Sequence, residues 1–135
     1  MRYFAAAAGL AVTLTLLNPA PRLASAHARY DRSDPAAESV VAVAPPQLRV
    51  WFTQELVTQG SRLEVVDASG NRVDAGDSRV DLNDPDRKLM LVSLNPLADG
   101  VYTVNWRSVS AEDGDDADGS FRFGVGASTT LGVVQ

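Results

Sequence analysis

Val101-Tyr102-Thr103-Val104-Asn105-Trp106-Arg107 places Tyr102, Val104 and Trp106 on one face of an extended chain and Thr103, Asn105 and Arg107 on the other. That period of two marks a strand with one side turned toward a core. Working outward, Asn95-Pro96-Leu97-Ala98-Asp99-Gly100 reads as the loop before it. Gly119 to Val125 reads as a later strand with Phe121, Phe123 and Val125 aligned. Lys88 to Leu94 is a further strand, with Leu89, Leu91 and Ser93 on one side and Met90, Val92 and Leu94 on the other. Gln47 to Phe52 aligns Leu48, Val50 and Phe52, and Arg62 to Val66 repeats the period. Asp67-Ala68-Ser69-Gly70-Asn71 is a turn, since Gly and Asn tolerate positive φ. Val73 and Ser78 to Leu82 suggest a shorter strand pair. Short strands separated by turn signals indicate an antiparallel sandwich or barrel, here a small β-sandwich.

The chain has 135 residues, length for one domain, and its 45% hydrophobic content is that of a globular protein. There is no cysteine, which excludes a disulfide scaffold, a thiolate metal site and a thiol nucleophile. One histidine excludes any site built from two imidazoles of one chain. The net charge of −5, with no basic cluster, is unsuited to nucleic acid.

Residues 1–26 read as an export signal. Met1-Arg2 opens positively, Phe4 to Leu17 is almost wholly apolar, and Ala24-Ser25-Ala26 has the small-x-small form of a cleavage site. The apolar run is short for a permanent membrane span, and no second long one follows, so the processed protein is expected to be exported without membrane insertion. Cutting after Ala26 would leave a chain of about 110 residues, a normal sandwich length that needs no metal to fold. It would also create a free α-amine on His27. Ala26-His27-Ala28 offers a rival site whose use would discard the histidine.

Two places could carry chemistry. An N-terminal His27 would present its α-amine and ring Nδ1 to one metal, a histidine brace suited to Cu(II), Ni(II) or Zn(II). Glu112 to Gly119 holds five acids in seven residues, Glu112, Asp113, Asp115, Asp116 and Asp118, in what reads as a solvated loop between strands. It is no EF-hand: counted from Asp113, ligand positions would fall on Ala117 and Gly124. No Gly-x-Ser-x-Gly, triad context or phosphate-cradling glycine loop occurs, so the chain is not expected to be an enzyme.

Several stretches together resemble one family. They are His27-Ala28, Ser33-Asp34-Pro35-Ala36, Leu48-Arg49-Val50-Trp51-Phe52-Thr53, Asp67-Ala68-Ser69-Gly70, Pro96 to Arg107, Val109-Ser110-Ala111-Glu112-Asp113-Gly114 and Gly119-Ser120-Phe121-Arg122-Phe123. The chain from His27 to about Val125 is similar to CopC-like copper-resistance proteins. The resemblance implies an all-β fold, a small antiparallel Greek-key β-sandwich of cupredoxin or immunoglobulin type. Its domain limits would be 27–125, with 126–135 as a flexible tail and His27 as the processed terminus. It also implies an exported, periplasmic or extracellular copper(II)-binding carrier or buffer. Such a protein would serve a membrane copper transporter or another copper-handling protein.

The family's Cu(II) site resembles a terminal-histidine brace joined by an Asp-x-His motif. Asp113 falls on the motif's Asp and Asp115 falls where the second histidine stands, so the implied ligands are His27, Asp113 and Asp115. A carboxylate at that position is harder and less copper-selective than imidazole. Gln54 stands where the family often has Glu, and its methionine-rich Cu(I) site is missing: beyond the signal only Met90 remains, and its context reads as core. Two other readings stand beside the carrier. One is a metal-free interaction module of the same descent. The other is a brace enzyme such as the copper-dependent polysaccharide monooxygenases, which usually have a second brace histidine that this chain lacks.

Overall fold

A computed structural model of the chain describes residues 27–132, so the export segment expected over residues 1–26 lies outside the described residues. Eight strands appear among the described residues: β1 (Tyr30–Asp34), β2 (Val40–Val41), β3 (Gln47–Phe52), β4 (Arg62–Val66), β5 (Arg79–Val80), β6 (Leu89–Ser93), β7 (Gly100–Val109) and β8 (Asp116–Val125). They form two four-stranded sheets, ordered β1-β3-β6-β5 and β2-β8-β7-β4. Most successive strands change sheet, and the result is the Greek-key β-sandwich that the alternation implies. Among the described residues no helix is long and apolar enough to cross a membrane.

The sandwich closes because the alternating faces meet. In the first sheet Leu48 stands opposite Val92 and Val50 opposite Met90. In the second, Val65 stands opposite Val104, Val104 opposite Phe121, and Tyr102 opposite Phe123. These side chains are buried in one cluster with Phe52 and Leu63. Each large side chain taken from water contributes about 1.5–3 kcal/mol. Met90 is fully buried, as its strand context implies. Leu89 and Leu91, on the other face of β6, are buried too, so this central strand is covered on both sides.

The departures from the sequence reading have physical causes. β1 was not legible because Tyr30-Asp31-Arg32-Ser33-Asp34 has no apolar alternation; it is an edge strand paired only with β3. β2 is two residues long and runs parallel to β8, so the sandwich is not wholly antiparallel. The strand expected over Ser78 to Leu82 shrinks to Arg79–Val80, because Ser78 is diverted to accept the Leu63 N–H at 2.6 Å. β8 begins at Asp116, so Asp116, Ala117 and Asp118 belong to a strand rather than to a loop. The segment after β8, expected to be loose, lies back on the domain as far as it is described. The Thr129 N–H donates to the Gly126 carbonyl at 3.0 Å, and Arg122 donates to the Gly132 carbonyl at 3.1 Å.

One buried carboxylate stitches the lower sheet edge. The Asp74 side chain is fully shielded. Its Oδ2 accepts the Val65 N–H at 2.8 Å, its Oδ1 accepts the Gly76 N–H at 2.9 Å, and the Arg72 Nε–H reaches both oxygens at 3.0 and 3.1 Å. Burial by itself raises the carboxyl pKa, but the bonds from Arg72, Val65 and Gly76 outweigh it and hold Asp74 below its ordinary value.

Candidate metal site

The inward face of β7 runs Tyr102, Val104, Trp106, Ser108, and its line continues to Ser110 just past the strand. It is apolar over the core and hydroxylic at one end. Ser108 and Ser110 are both fully buried. A buried hydroxyl must find a partner, and the Ser108 Oγ–H donates to the carbonyl of Ala28, itself fully buried. The next residue is clamped as well. The Arg29 N–H donates to Thr53 Oγ1 at 3.0 Å, and the Thr53 N–H donates to the Arg29 carbonyl at 2.9 Å. His27 is therefore held where the chain enters the sandwich.

Ser110 organises the loop that faces it. The Ser110 N–H donates to the Asp115 carbonyl at 2.9 Å, and the Gly114 N–H donates to the Ser110 carbonyl at 2.9 Å. Gly114 has φ of 75°, a left-handed conformation that only glycine adopts without cost. The Asp115 N–H donates to Asp113 Oδ1 at 3.0 Å. The loop thereby points Asp115 at the histidine: Asp115 Oδ2 lies 3.9 Å from His27 Nδ1. That is too far for a hydrogen bond. His27 Nδ1 is buried and has no hydrogen-bond partner among the described residues. Leaving such an atom unsatisfied costs about 1–3 kcal/mol, so a native chain keeps one only for a reason.

The structure thus brings together two of the three residues singled out in the sequence, His27 and Asp115. Asp113 is turned to the Asp115 backbone. Among the described residues no three His, Asp or Glu side chains converge as a ready-made metal cage. The remaining donor of a brace, the His27 α-amine, exists only if the chain is cut after Ala26.

A groove of about 400 Å³ opens beside His27, lined by Arg29, Tyr30, Trp106, Asp116, Ala117 and Asp118. Its wall depends on a glycine: the indole of Trp106 lies so close over Gly119 that a Cβ there would stand 2.5 Å from it. The same ring meets Phe52 edge-on, with centroids 5.3 Å apart. Asp116 is offset by Arg107 at 2.8 Å. With Glu112, Asp113, Asp115 and Asp118 nearby, the region keeps an acidic excess that favours a cation. Ser108, Ser110, Thr53 and Trp106 were not singled out as site residues in the sequence. The available signal was the period of two on β7: carried past Trp106, it puts two serines at inward positions where an apolar residue belongs.

The CopC domain family matches residues 30–126. The chain is 29% identical over 107 residues to the copper transport protein CutJ of Bacillus subtilis; the match covers 78% of this chain but 19% of CutJ, so the chain spans about a fifth of that relative's length. It is 32% identical over 95 residues to copper resistance protein C of Pseudomonas syringae pv. tomato, covering 67% of this chain and 74% of that protein. Among solved structures, CopC from Methylosinus trichosporium OB3b superposes with a TM-score of 0.64 at 23% identity, over 78% of this chain and 99% of that one, a likeness of fold. With a family match spanning nearly the whole sandwich, the chain belongs to the CopC family.

Proposed function

We propose that the chain is an exported carrier or buffer for Cu(II) in copper homeostasis, acting outside the cytoplasm and handing its cargo to a membrane copper transporter or another copper-handling protein. Copper is cargo here, and the chain is no catalyst. The observation that carries the reading is the buried Nδ1 of His27, without a hydrogen-bond partner among the described residues and facing Asp115 across 3.9 Å. That gap suits one ion with bonds of about 2 Å to each side. The proposed ligands are the His27 ring nitrogen, the α-amine released by cleavage after Ala26, and the carboxylates of Asp113 and Asp115. Two nitrogens with carboxylate oxygens suit Cu(II) among first-row divalent ions, and the carboxylate at position 115 makes the site less selective than an imidazole would. Repulsion between neighbouring carboxylates, relieved by a cation, adds to affinity. The names of the relatives, a copper transport protein and a copper resistance protein, support a role in copper handling.

The test is a competition titration with Cu(II) on two proteins, one beginning at His27 and one carrying an extra residue before it. The expected result is one tightly held Cu(II) in the first and loss of tight binding in the second, because the amine has become an amide. Equal binding would remove the brace and leave the metal-free interaction module as the reading of this fold.

A further inference from the structure

We propose that Ser108 and Ser110 are positioning residues that set the distance between His27 and Asp115 before any metal arrives. This rests on the copper reading above and goes beyond it, since neither serine is a ligand. The two lie two residues apart on one inward face, both fully buried, at the end of the most extensively paired hairpin of the fold, β7 with β8. Each holds a different half of the site. Ser108 holds the chain entering the domain through the Ala28 carbonyl. The Ser110 backbone holds the acidic loop through the Asp115 carbonyl at 2.9 Å and the Gly114 N–H at 2.9 Å, and its Oγ accepts the Glu112 N–H at 3.3 Å. A strand advances about 3.3 Å per residue, so a two-residue spacing on a rigid hairpin works as a ruler between the two half-sites. Thr53 completes the clamp by bonding both backbone groups of Arg29. The histidine end therefore does not need to be ordered when the ion binds; that entropy was spent when the domain folded.

Serine is the residue that suits this position. An apolar side chain of similar size would leave the Ala28 carbonyl buried without this donor.

The experiment uses the chain beginning at His27, with Ser108→Ala, Thr53→Ala and Asp74→Asn as variants. Thr53 is exposed, so its loss tests the clamp even if the serine variant fails to fold. Asp74→Asn destabilises the domain through a different part of the fold. In the metal-free proteins, amide exchange at Arg29 and Thr53 should quicken in Ser108→Ala and Thr53→Ala. Cu(II) affinity should fall about five- to thirtyfold, the factor implied by ordering one freed residue's backbone. The Cu(II) electron paramagnetic resonance spectrum should change from one species to several. Asp74→Asn should keep the wild-type affinity and spectrum. Unchanged amide exchange would overturn the clamp. Faster exchange with unchanged affinity and spectrum would overturn the positioning role. Failure of the copper reading would show separately, as equal binding by the unmodified and N-terminally extended chains.

Discussion

Replacing Asp74 by Asn changes one atom and should unfold the domain measurably more easily. The carboxylate accepts two backbone N–H groups on different oxygens, from Val65 at 2.8 Å and Gly76 at 2.9 Å, and its side chain has no exposure. An amide keeps one oxygen and turns an NH₂ toward the other donor. One buried N–H, on Val65 or Gly76, then faces a donor instead of an acceptor. A hydrogen bond to a charged acceptor contributes about 1.5–3 kcal/mol, and an orphaned buried donor adds its own desolvation cost. The Arg72 pair adds little, because the Arg72 side chain is half-exposed. The expected loss is about 2–4 kcal/mol at pH 7, read as a shift of the urea midpoint at constant slope. The pH dependence carries the sign. Asp74 is held below its ordinary pKa. Its contribution is therefore fully present above the unfolded value, about 3.9, and is lost as pH falls through the depressed folded value. Protonated Asp74 resembles Asn, so the gap between wild type and variant must narrow on acidification below about pH 4. A gap under about 0.5 kcal/mol at pH 7, or one that stays constant into acid, would refute the assignment of Asp74 as a buried double acceptor.

Further outcomes follow from single positions. Gly119→Ala should destabilise by about 0.5–2 kcal/mol and shift Trp106 fluorescence in a Trp51→Phe background: displacing the indole costs about 1–3 kcal/mol, partly offset by the stiffer unfolded chain. A variant as stable as wild type with unchanged emission would contradict the close approach of Trp106 to β8. Gly114→Ala should cost about 1 kcal/mol in thermal unfolding, because φ of 75° is strained for an L side chain, and it should weaken Cu(II) binding by moving Asp115. Asp113→Ala and Asp115→Ala should each weaken Cu(II) in competition titrations, and Asp115→His should tighten it. Chelator-treated protein should keep its strand circular dichroism, since the core of Phe52, Met90, Val104 and Phe123 closes without an ion.

Local pattern alone sufficed for the strands rich in apolar residues. β3, β4, β7 and β8 each carry apolar residues at a period of two, and one-sided burial leaves no other register open to them; β6 is apolar and buried on both faces. It also sufficed for Met90 as core, for the absence of cysteine chemistry, and for His27 as a residue to watch; Asp115 was singled out by the family resemblance, since the local pattern read only as a solvated acidic stretch. Two of the edge strands escaped it. β1 is polar and β2 is two residues long, so each exists only because a neighbouring strand offers unpaired backbone groups. The acidic stretch was divided by pairing rather than by composition: Asp116 and Asp118 are carried into β8 by its ladder with β7, whereas Asp113 and Asp115 stay in the turn. The meeting of His27 with Asp115 joins residues far apart in the chain. No local signal encodes it, because it depends on where Ser108 and Ser110 come to rest once both sheets have closed around them. Periodicity reports which face a residue occupies; the distance between two half-sites is a property of the packed sandwich.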